Sequence, residues 1–85
     1  MSQFEKLISK ILSGTSDKNI DFDDLCKLLA KLGFESRIKE SHHIFYMQNV
    51  SEIINLQPSR ENKSKPYQVK QVRDLIIKYR LAENV

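Results

Sequence analysis

The chain predicts an α+β fold, a three-stranded antiparallel sheet with helices packed on one of its faces. Three observations predict it. Apolar residues recur at helical spacing twice before residue 33 and once after residue 66. Between those segments the period falls to two, and the period-two segments are joined by short, polar connections. Links that short make neighbouring strands antiparallel, because a parallel pair needs a crossover of about a dozen residues or more.

The elements follow in order. Phe4, Leu7, Ile8, Ile11 and Leu12 form one amphipathic stripe, which predicts a helix over residues 2–13. Residues 14–19 read as a loop. Asp21 is placed to cap a second helix, with Asp23 and Asp24 at the positive end of its dipole. Leu25, Leu28, Leu29 and Leu32 make its apolar face, and Gly33 supplies a left-handed stop. Phe34, Ser36 and Ile38 then alternate with Glu35, Arg37 and Lys39, the pattern of a half-buried strand. Lys39-Glu40-Ser41 makes a tight connection to residues 42–48, which are aromatic and β-branched enough for a second strand. Asn49-Val50-Ser51 turns the chain into a third strand over residues 52–57, ended by Pro58. After a polar loop, Pro66 suits the first turn of a last helix whose face is Val69, Val72, Leu75, Ile76 and Tyr79. Three short strands are not stable alone in water, so the apolar helix faces should cover one side of the sheet and leave the other open.

Eighty-five residues fit one domain, residues 1–85. The one cysteine, Cys26, excludes an intrachain disulfide, and its place among leucines suits a small core residue better than a nucleophile. The first residues hold no apolar run suited to a signal peptide or membrane span, so a cytoplasmic protein is expected. The net charge of +3 is unevenly spread: residues 60–80 hold seven Lys or Arg against Glu61 and Asp74. Such a cluster suits a surface that meets phosphates, and equally an ordinary solvated helix face.

The inventory of reactive groups is small. One Cys and two neighbouring His do not make a four-ligand zinc set, and with only Gly14 and Gly33 there is no glycine-rich phosphate loop. The aspartates at 21, 23 and 24 read as helix capping before metal binding. Tyr46, Tyr67 and Tyr79 could stack on bases, although Tyr79 also fits the core. His42 and His43 adjoin on a strand, so their rings should point to opposite faces. One is then a packing residue, and the other is free to shuttle protons near neutral pH.

The run Phe22-Asp-Asp-Leu25-Cys-Lys-Leu-Leu29-Ala-Lys-Leu32-Gly33-Phe34, followed by Ser41-His42-His43-Ile44-Phe45, Ile54-Asn55-Leu56-Gln57-Pro58 and Lys65-Pro66-Tyr67-Gln68-Val69-Lys70-Gln71-Val72, resembles the HicA family of toxin–antitoxin ribonucleases. The likeness covers roughly residues 20–80, which makes residues 21–80 a core and residues 1–20 a helical extension. It implies a fold like the double-stranded-RNA-binding domain. It also implies the toxin of a type II toxin–antitoxin system: a metal-independent, cofactor-free endoribonuclease that cuts mRNA and arrests translation. Such a toxin is neutralised by a HicB-type antitoxin protein, as a monomer or in a small complex with it. The family's catalytic histidine maps onto His42. Lys63, Lys65, Lys70 and Arg73 are then the candidates for holding RNA phosphates, against the alternative of a solvated loop and helix face.

One departure from the family pattern matters. The glycine two residues before the histidine is Glu40 here, which resists the backbone freedom of glycine and places a carboxylate near phosphate. A second function class therefore stays open, a non-catalytic RNA- or antitoxin-binding module. A structural adaptor that docks through the N-terminal helix is a further alternative, which an exposed apolar stripe over residues 4–12 would favour.

Overall fold

A computed structural model describes residues 3–84. It runs α1 (Gln3–Ser13), α2 (Phe22–Leu32), β1 (Glu35–Lys39), β2 (His42–Met47), β3 (Val50–Leu56) and α3 (Pro66–Lys78). Short 3-10 turns lie at Asp17–Asn19 and Leu81–Asn84. Ser2, the first residue of the expected N-terminal helix, lies outside the described residues. The three strands form one antiparallel sheet in the order β1-β2-β3. The fold is α+β.

The helices form where the apolar spacing placed them. α1 buries Ile8 and Ile11, with Phe4 and Leu7 packed against the same core. Its stripe is therefore turned inward; only Leu12, 40% exposed, leaves it. That removes the exposed surface an adaptor helix needs. α2 buries Leu25, Leu28, Leu29 and Leu32, and ends at Gly33, whose φ of +110° turns the chain so that the Gly33 N–H donates to the Ala30 carbonyl and the Phe34 N–H to the Leu29 carbonyl. Asp21 does occupy the N-cap position, but its carboxylate makes no capping hydrogen bond. It pairs instead with Lys63, across an isolated bridge between the two residues.

Two hairpins build the sheet. Glu40 and Ser41 connect β1 to β2, and Gln48 and Asn49 connect β2 to β3. The second turn is Gln48-Asn49 and not Asn49-Val50-Ser51, and it puts the start of β3 two residues earlier than expected; Asn49 takes φ +73°, a left-handed conformation that asparagine tolerates. β3 accordingly starts at Val50, with a register irregularity opposite Phe45 and Met47. β1 corrects a second expectation. It is not half-buried: all five residues are exposed, Ile38 to 66%. β1 is a sheet edge, and the buried sheet residues are Phe45, Ile54 and Leu56 of β2 and β3.

One core joins α1, α2, α3, the inner sheet face and Leu81. The radius of gyration of 11.8 Å agrees with about 12 Å for a single compact domain of this length. Two polar locks fasten α3. At its C-terminal end the Glu52 carboxylate accepts from Tyr79 Oη at 2.6 Å, Lys78 Nζ at 2.7 Å and Ser51 Oγ at 3.0 Å. Nearer its start, Arg73 Nη1 donates to both oxygens of Asp17, at 3.0 and 3.1 Å, and to the carbonyl of Ile11 at 3.2 Å.

Candidate active site

Strand alternation sorts the two histidines. His43 shares the helix-facing side of β2 with Phe45, and its ring meets Phe22 of α2 edge-on, with centroids 4.9 Å apart and planes at 79°. It is a packing residue. His42 shares the other side with Ile44 and Tyr46, where among the described residues no helix covers the sheet. Its ring is half-buried and lines an open cavity of about 330 Å³ together with Lys39, Glu40, Ile44 and Asn55.

Hairpin register decides what stands beside the imidazole. Lys39 pairs directly with His42, Arg37 with Ile44, and Ile44 with Asn55 across the β2–β3 ladder. Paired residues in an antiparallel ladder present side chains on the same face, so Arg37 and Lys39 flank His42 and Ile44 from the edge strand. From the other side His42 Nδ1 lies 3.0 Å from Asn55 Oδ1. The turn below the ring is tied to the end of β3, since Gln57 Nε2 donates to Ser41 Oγ at 3.0 Å. Further along the open face Tyr46 is 38% exposed and Ile53 61%. The site is thus one imidazole, two cations and an accessible aromatic ring on an uncovered sheet surface.

The four cations nominated from the sequence lie elsewhere. Lys63 pairs with Asp21, which raises the Lys63 pKa and lowers that of Asp21 through their hydrogen bond and opposite charges. Lys63 lines a second open cavity, of about 510 Å³, with Lys18, Ser59, Arg60, Glu61, Ser64 and Pro66. Lys65 occupies the N-cap position of α3, and Lys70 is exposed on that helix. Arg73 is not placed to hold phosphate. Its side chain is 17% exposed and committed to Asp17 and Ile11, joining α3 to the N-terminal segment. None of these four lines the cavity that holds His42. Arg37 and Lys39 alternate with the apolar positions of β1, the pattern of a solvent side, and nothing in the sequence marks Asn55 as a neighbour of His42. Period-two alternation combined with a two-residue turn would have put Lys39 opposite His42.

Other chemistries find no support in the geometry. Cys26 is half-buried on α2, and burial, with a smaller contribution from the charge of Asp23, pushes its thiol up to about 11. At neutral pH it is a thiol and a poor nucleophile. Among the described residues there is no group of three or more His, Cys, Asp or Glu suited to a metal ion, and no helix long and apolar enough to cross a membrane. The chain matches no protein-family model, no curated protein and no solved structure.

Proposed function

We propose that this chain is an RNA-cutting toxin of the HicA type, with a double-stranded-RNA-binding-domain-like arrangement and His42 as its proton-transfer group. The observation that carries the proposal is the accessible imidazole of His42 in an open cavity beside Lys39, with Arg37 one register pair further along the same face. A polynucleotide can reach such a ring, and the two cations offset the charge of its phosphates. The resemblance of residues 20–80 to that family supplies the substrate, mRNA, and the partner, a HicB-type antitoxin that covers the site in the cytoplasm.

The chemistry asks little of the protein. A ribose 2′-oxygen attacks the adjacent phosphorus, the bond to the 5′-oxygen breaks, and a 2′,3′-cyclic phosphate and a 5′-hydroxyl remain. His42 moves a proton in that exchange. One general acid–base group contributes about 10²–10⁴-fold, so a modest rate is expected. His42→Ala should abolish RNA cleavage and growth arrest while leaving the thermal unfolding curve in place. Cleavage by the parent should survive a chelator. Cutting by purified His42→Ala at the parent's rate would sink the proposal.

One observation favours a second class, a binding module without activity. The Glu40 carboxylate lines the same cavity as His42, where it repels phosphate. Expression without an antitoxin separates the two: a nuclease stops growth, and a binder has little effect.

A further inference from the structure

We infer that Asn55 is a positioning residue that holds His42 in a single tautomer, with its proton on Nδ1 and the lone pair of Nε2 presented to the open sheet face. It follows, on the nuclease proposal above, that His42 enters the reaction as a base. Asn55 stands on β3 opposite Ile44, on the same face as His42, and its Oδ1 is 3.0 Å from His42 Nδ1. An amide oxygen accepts and does not donate, so the ring nitrogen it meets carries the hydrogen. A neutral imidazole has only one such hydrogen, which leaves Nε2 as an acceptor. Among the described residues Nε2 has no protein partner, and the ring lines an open cavity. A free histidine ring prefers the opposite tautomer, with the proton on Nε2, and would offer a donor where the reaction needs an acceptor. Asn55 reverses that preference.

The step then balances. Nε2 takes the proton of the ribose 2′-hydroxyl as the 2′-oxygen forms its bond to phosphorus and the bond from phosphorus to the 5′-oxygen breaks. The departing 5′-oxygen takes a proton from water, and the imidazolium gives its proton to the hydroxide so formed.

The tautomer can be read without RNA. In the full chain labelled with ¹⁵N-histidine, two-bond nitrogen–proton correlations at alkaline pH report which ring nitrogen is protonated, with His42→Gln assigning the signal. The parent should show the proton on Nδ1, and Asn55→Ala should move it to Nε2. Asn55→Ala should also lower kcat by about 2- to 10-fold, the worth of one neutral hydrogen bond, with KM little changed. Asn55→Asp keeps the side chain's shape and an accepting oxygen, so it guards against a folding defect in the alanine variant. It should keep the proton on Nδ1 and move the acid limb of the cleavage profile to higher pH, because a carboxylate stabilises the imidazolium. Lys39 and Glu40 in the cavity, and Arg37 beyond Ile44, are the same in all three proteins, so a shift belongs to position 55. A parent ring protonated on Nε2 overturns the inference, as does a tautomer that Asn55→Ala leaves unmoved. A parent that shows the Asn55-dependent Nδ1 proton and yet cuts no RNA upholds the positioning role and overturns the nuclease proposal.

Discussion

Glu40 holds φ +58° in the two-residue turn that leads to His42. That is the left-handed region, where a side chain costs about 1–2 kcal/mol. Glycine relieves the strain but loses more entropy on folding, so Glu40→Gly should stabilise the protein by about 0.5–1 kcal/mol. A rise in the urea midpoint would show it, and a fall would mean that the Glu40 side chain makes a stabilising contact. The same change removes a carboxylate from the cavity, so RNA should bind more tightly in a titration at fixed salt. His43 gives the complementary case. Its edge-on contact with Phe22 is worth about 0.5–1.5 kcal/mol beyond area burial, so His43→Ala should lower the unfolding midpoint and spare most of the cleavage rate. That the two rings point to opposite faces was legible in the sequence, since alternation separates adjacent strand residues. Asn55 was not, because a cross-strand partner depends on register, and register depends on where each turn falls.

At the scale of elements, the attachment of α3 to β3 is an acid-sensitive one. Hydrogen bonds from Lys78, Tyr79 and Ser51 hold the Glu52 carboxyl at about 2, below its ordinary 4.5. A carboxyl with a depressed folded pKa contributes its stability in full above the unfolded value and loses it as pH falls toward the folded one. This contribution is therefore complete at neutral pH and fades between about 4.5 and about 2. Glu52→Gln should remove it, giving a lower urea midpoint at pH 7 than the parent and a smaller drop between pH 5 and pH 3. Equal drops for the two proteins would place the acid sensitivity elsewhere. Helix and strand identities were readable because each has its own apolar period. The locks between elements were not: Arg73 and Asp17 lie 56 residues apart, and only packing reveals that one serves the other. The exposure of β1 escaped for a related reason. A strand at a sheet edge carries the same alternating pattern whether or not a helix reaches over it.

Across the whole molecule, charge adds up differently in the fold than along the chain. Of the seven cations in residues 60–80, Lys63, Arg73 and Lys78 face Asp21, Asp17 and Glu52. Acidic groups from earlier in the chain thus meet much of the basic segment that the linear sequence singled out. Arg37 and Lys39 come from a stretch whose charges cancel in sequence, yet the sheet sets Lys39 opposite His42 and Arg37 opposite Ile44 on the same face. The two cationic regions predict different salt dependence. Each phosphate contact on single-stranded RNA adds about 0.7 to the slope of log affinity against log salt. If RNA lies on the open sheet face, replacing Arg37 and Lys39 together by Gln should reduce that slope by about 1.4. Arg73→Gln should leave the slope unchanged while lowering the unfolding midpoint, because its guanidinium is engaged with Asp17 and Ile11. Binding isotherms in the His42→Ala background at several salt concentrations give both numbers. A slope that ignores Arg37 and Lys39 but falls when Lys65 and Lys70 are neutralised would move the RNA off the open face and onto α3, away from the cavity of His42.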